Sequence, residues 1–136
     1  MASRLTRALG VLGLGVMAIC GYAAAVHAQA AWQAPAADKA KKNPLPADAK
    51  NIAQGKKVAD INCVSCHGAK GKGDGVASAA LSPKPADWTS AKVQAESDGE
   101  IFWKISTGRG AMPSWKHLPE NDRWALVLYI RSLGGK

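Results

Sequence analysis

Metal-binding side chains are few in this sequence. It has three cysteines (20, 63, 66), three histidines (27, 67, 117) and three methionines (1, 17, 112). Past residue 30 only two Cys, two His and one Met remain. A closed structural zinc site takes four ligands, and His117 lies fifty residues beyond the other three candidates. No pattern of strands alternating with helices is visible, which sets aside a thioredoxin-type use of paired cysteines. Acid is also scarce: ten Asp and Glu face eighteen Lys and Arg. Arg4 and Arg7 belong to the leading segment, so the rest keeps sixteen bases against ten acids, a formal +6. The lysines are scattered and no nucleic-acid motif accompanies them, so the charge reads as a solvated surface or as steering toward an acidic docking face.

What is present is Cys63-Val64-Ser65-Cys66-His67. Cys-x-x-Cys-His is the attachment signature of a c-type haem. On a helix, positions 63, 66 and 67 stand at i, i+3 and i+4 and share one face. Both sulfurs then reach the two vinyl groups of one porphyrin, and His67 stands over the same ring with Nε2 toward the iron. The expected cofactor is one haem c, held through two thioethers.

The chain begins with the marks of an export signal. Arg4 and Arg7 precede an uncharged apolar run over residues 9–26, and Ala28-Gln29-Ala30 offers cleavage after Ala30. Cleavage after Ala28 is the variant, and retention as a membrane anchor is the alternative. Cys20 follows Ile19, which is not the small residue a lipidation site needs. Export to the periplasm agrees with haem attachment, which takes place outside the bacterial cytoplasm. Residues 31–47, rich in Ala, Pro and Lys, read as a flexible or partly extended linker.

A first helix is expected over about 48–62, capped by Asp48, with Ile52, Gly55, Ala59 and Cys63 on one face. Gly inside a helix costs up to ~1 kcal/mol relative to Ala, and close approach of another helix is a reason to keep it. The glycine-rich run 68–75 has the spacing of a phosphate loop, but Asp74 stands where Lys is required. It also lacks the alternating carboxylates of a calcium loop. Prolines 83 and 85 hold 81–88 extended. The Pro83 carbonyl is the candidate acceptor for the second ring nitrogen of His67, and Trp88 reads as core or as a cover for the porphyrin. Ser97 and Glu100 form a capping-box pattern that opens a helix carrying Ile101, Phe102, Trp103 and Ile105, stopped by Gly108. Trp103 reads as core rather than as an electron-relay residue.

Met112 then stands in a loop framed by Gly110 and Pro113. It is the one methionine left after export, and so the one thioether on offer as sixth iron ligand. His117 is the competing ligand or a surface histidine. Arg109 reads either as a propionate partner or as plain surface. A last helix over about 119–133, apolar all round from Trp124 to Ile130, is expected to be buried on more than one side.

In this order the parts resemble a class I c-type cytochrome over about 48–136. The matched features are Gly55, the Cys63–His67 motif, the Met112-Pro113 loop, and a final helix with Leu128-Tyr129-Ile130. The resemblance implies an all-α fold, about three to four helices around one covalent haem, with Gly55 and Tyr129 at the crossing of first and last helices. Ala59 departs from the family, which usually has an aromatic there. The implied haem-binding residues are Cys63, Cys66, His67 and Met112, with His67 and Met112 on the metal. The implied function is electron transfer rather than enzymatic catalysis. Its first form is a periplasmic carrier shuttling single electrons between redox protein partners. The alternatives are a cytochrome subunit bound to one oxidoreductase complex, or a gas-binding or sensor haem protein. A di-haem peroxidase is disfavoured by the single Cys-x-x-Cys-His.

Overall fold

The computed structural model describes residues 32–135. The expected signal segment lies outside the described residues. Among those described there is no β-strand, and the segments are α1 (Ala36–Lys39), α2 (Ala49–Asn62), α3 (Val64–His67), α4 (Ala91–Gln94), α5 (Asp98–Thr107) and α6 (Glu120–Ser132). The all-α expectation holds, with three helices longer than one turn.

Each long helix starts where local chemistry dictates. The Asp48 carboxylate accepts from the Asn51 amide at 2.8 Å, opening α2. Ser97 Oγ accepts from the Glu100 amide at 3.1 Å, opening α5. Glu100 does not close the reciprocal half of a capping box. Its buried carboxylate lies 3.5 Å from Lys39 and 3.4 Å from Lys104 instead. Pro119 caps α6 from outside its first turn, and Glu120 and Asp122 favour the positive end of the helix dipole.

Helix α6 is the centre of the molecule. Residues 123–130 are all buried, because α2 packs along it and α5 packs on another side. The α2 contact is made at Gly55. A Cβ there would overlap the Ala125 carbonyl oxygen and come 2.9 Å from Tyr129 Cβ. The Gly55–Tyr129 crossing read from the sequence is therefore present. Ala59, 4 % exposed, fills the position where the family carries an aromatic. On the α5 side, Phe102 and Trp124 stack with centroids 3.8 Å apart. Trp103, expected in the core, is half-exposed and lies outside the core cluster. It sits beside Phe102 on α5, and Phe102 takes the inward position.

Residues 32–47 do not form a free linker. Ala34 is buried, and Ser97 Oγ donates to the Lys39 carbonyl at 2.8 Å. Asn43 Nδ2 donates to the Trp124 carbonyl at 3.0 Å. The Asp38 carbonyl presses on Gly99, where a Cβ would overlap it. Low apolar content concealed this docking, which runs through backbone carbonyls and a small-residue contact.

Arg131 fastens the short α4 turn to α6. Its Nε donates to Asp98 at 2.8 Å, one terminal nitrogen donates to the Gln94 carbonyl at 3.0 Å, and the other donates to the Glu96 carbonyl. Arg131→Ala leaves those acceptors without their donor. It is expected to cost about 2 kcal/mol, the scale of hydrogen bonds to a charged group at a partly exposed site. Urea denaturation with an unchanged m-value measures this.

Candidate haem site

Helix α2 ends at Asn62, and Cys63 turns the chain into α3. The amides of Cys66 and His67 both donate to the Cys63 carbonyl, at 3.1 and 2.9 Å. The motif therefore forms a single helical turn with Cys63, Cys66 and His67 on one side. Both thiols are free. Burial pushes the Cys63 thiol up to about 12, and the neighbouring Cys66 adds to the rise. A thiol held protonated forms disulfides slowly.

The glycine-rich run has a specific task. It folds back so that the amides of Ala77, Gly75 and Gly73 donate to the carbonyls of Ser65, Cys66 and His67 at 2.9, 3.1 and 2.8 Å. The turn that carries both cysteines thus has its exposed carbonyls satisfied by the loop that follows it. Sequence reading excluded a phosphate or calcium loop here but did not foresee this role.

His67 is buried and fixed from two directions. Its Nδ1 lies 3.1 Å from the Ala86 carbonyl oxygen, which can only accept, so Nδ1 carries the proton and donates. Pro83, expected as the acceptor, is not. The Asp87 carboxylate accepts from Thr89 N and Oγ1 at 2.8 and 2.7 Å, and this tight turn aims the preceding Ala86 carbonyl. The same bonds hold the Asp87 carboxyl below its ordinary range. Trp88 stacks on the His67 ring, with centroids 4.5 Å apart and planes 23° from parallel. Trp88 is thus core, as expected, and also a wall for the imidazole. Burial lowers the His67 pKa, partly opposed by the Ala86 bond. A neutral imidazole with one face stacked and Nδ1 tied down leaves Nε2 for a metal.

Met112 lies beyond α5. The Arg109 amide donates to the Met112 carbonyl at 2.8 Å, and the Met112 amide returns the bond to Arg109 at 3.0 Å. This closes a tight turn that leaves Met112 half-buried against the core cluster, to which Cys63 also belongs. His117 is exposed, 5.6 Å from the Trp115 ring. Among the described residues no group of three or more His, Cys, Asp or Glu could hold a metal ion. Two free thiols on one turn beside a carbonyl-held imidazole fit haem c, and Met112 is the one thioether among the described residues.

The chain matches the family model described as cytochrome c oxidase, cbb3-type, subunit III, over residues 50–130. It belongs to this family. It is similar to the cbb3-type cytochrome c oxidase subunit CcoP of Azospirillum sp. (strain B510), 36% identical over 101 residues, covering 68% of this chain and 32% of that protein. It is also similar to the cbb3-type subunit FixP of Bradyrhizobium diazoefficiens, 36% identical over 89 residues, covering 62% of this chain and 28% of that one. Among solved structures, a chain of the Kuenenia stuttgartiensis reducing HAO-like protein complex aligns with a TM-score of 0.59 and 32% identity. That match covers 66% of this chain and 46% of its counterpart. The cbb3-type cytochrome domain described here therefore spans about a third or less of the curated relatives it matches. The expected c-type cytochrome domain, an electron-transfer protein, is what the chain contains, and Cys63, Cys66, His67 and Met112 all fall inside the matched span.

Proposed function

We propose that this chain is the haem c-bearing part of an oxidoreductase complex on the periplasmic side of the membrane, passing single electrons to redox partners within that complex. The two curated relatives described above are named as subunits of cbb3-type cytochrome c oxidase, and the structural neighbour belongs to a named protein complex. These favour the bound subunit over a freely diffusing carrier. The observation that carries the reading is the Cys63–His67 turn, which offers two thiols and an imidazole already held in its ligating tautomer. In this reading Cys63 and Cys66 supply the thioethers, while His67 and Met112 are the axial ligands. When bound, haem supplies a one-electron Fe(II)/Fe(III) couple, and a thioether ligand favours the reduced form.

The residues around the motif suit a protein partner. Ile61, 81 % exposed, and Val76, 94 % exposed, stand on the segments entering and leaving it. Lys70 and Lys72 lie exposed between the motif and Val76. Two lysines against the one exposed Asp74 leave this run net cationic, which fits an acidic docking face. Among the described residues no helix is long and apolar enough to cross a membrane.

Optical and resonance Raman spectra of the purified protein test the ligand set. Met112→Ala is expected to retain covalent pigment, lose the low-spin spectrum of the native protein and bind CO rapidly when reduced. Native ferrous protein that itself binds CO rapidly would favour the gas-binding alternative. Co-purification with an oxidoreductase from the producing membranes is expected, and recovery only as a free soluble monomer would restore the carrier reading.

A further inference from the structure

We propose that Arg123 is a positioning residue that holds the Met112 loop shut and so sets how tightly its thioether can serve the iron. This rests on the reading of Met112 as the axial ligand. Arg123 lies on the first turns of α6 and is 9 % exposed. Its two hydrogen bonds go to opposite feet of the loop over 108–118. One terminal nitrogen donates to Ser106 Oγ, on the last turn of α5. Nε donates to the Leu118 carbonyl, just before α6, at 3.2 Å. The guanidinium rests on the Phe102 ring, 4.7 Å from its centroid.

Ser106 passes the restraint inward. While its hydroxyl takes Arg123, its carbonyl accepts from Ser114 Oγ at 2.6 Å, two residues from Met112. The Trp115 amide donates to the Ile105 carbonyl at 3.1 Å, fastening the same stretch to α5. Met112 thus sits on a turn whose ends are joined by a single planar cation. Among the described residues none of the ion pairs involves Arg123. Burying a cation without a carboxylate is costly, and an apolar residue of that shape would commonly pack with less penalty. Two donors in a rigid fork are what an apolar residue or a lysine cannot reproduce.

The test is imidazole titration of the ferric holoprotein, with reduction potentials measured alongside, for the wild type and for Met112→Ala, Arg123→Met, Arg123→Lys and Ser114→Ala. Imidazole must displace the sixth ligand to bind. In Arg123→Met its affinity is expected to rise about tenfold or more, the scale of losing a charged hydrogen bond. The potential should fall, because a loosened thioether favours Fe(II) less. Arg123→Lys keeps the charge but can reach only one foot, and should lie between Arg123→Met and the wild type. Ser114→Ala should move both readouts in the same direction by less. Wild-type affinity and potential in Arg123→Met, with only a lower melting temperature, would make the residue purely structural and overturn the proposal. If Arg123→Met does not fold, unchanged readouts in both Arg123→Lys and Ser114→Ala overturn it equally. Met112→Ala separates the two layers: no gain in imidazole affinity there means Met112 is not the ligand, and this proposal falls with that reading.

Discussion

A Cys63→Ala, Cys66→Ala double variant is expected to carry no covalent pigment and to lose roughly half or more of its helical circular dichroism, as a domain of about ninety residues has little core to spare. Cys63 belongs to the core cluster itself, together with Val58 and Ala59 from the preceding helix α2. Met112, Trp115 and Leu118 pack against that cluster from the loop side. A haem held by Cys63 and Cys66 would add its apolar surface to this small core, and the double variant would lack that contribution. Native helicity in the pigment-free double variant would show that the polypeptide core suffices alone.

Gly55→Ala is the second large effect. At a solvent-exposed helix position this change is favourable by about 1 kcal/mol. Here the added methyl meets the Ala125 carbonyl, a backbone atom in the middle of α6 that cannot rotate away. Overpacking of this kind costs about 1–3 kcal/mol, and contact with backbone puts it at the upper end. The net expectation is destabilisation by about 2 kcal/mol or more, with Tm lowered by roughly 8–16 °C for a domain of this size. Scanning calorimetry on the holoprotein decides it. A neutral or raised Tm would mean that α2 and α6 can separate without loss, contrary to the buried run from Trp124 to Ile130.

The parts of the fold that were legible in the sequence are those set by local chemistry. Asp48 and Ser97 cap helices because a short oxygen-bearing side chain reaches the amide three residues on. The unbroken apolar stretch of α6 admits only burial on several sides, and Gly55 signals a close neighbour because nothing local favours it. The cysteine spacing and the following histidine carry their chemistry in five residues. What was not legible depends on where the chain returns in space. The acceptor for His67 is Ala86 rather than Pro83, since the prolines only make the segment extended and the Asp87–Thr89 turn chooses which carbonyl faces inward. An Asp two residues before a Thr is a turn signal that pointed there. Arg123 and Arg131 gave no sign in the sequence. An arginine at either end of an apolar helix looks the same whether its partners are solvent or backbone carbonyls of another segment. The docking of residues 32–47 was hidden likewise, as backbone carbonyls are present in every sequence.

That docking has a mechanical corollary. Sixteen residues of freely extended chain would span about 50 Å, and here they lie fastened along α5 and α6 instead. A domain tethered through its N-terminal side is therefore on a shorter leash than sixteen free residues would give it. Its effective concentration near any fixed partner rises as the volume it sweeps contracts. Cutting the Ser97–Lys39 and Asn43–Trp124 contacts would lengthen the leash without touching the redox centre.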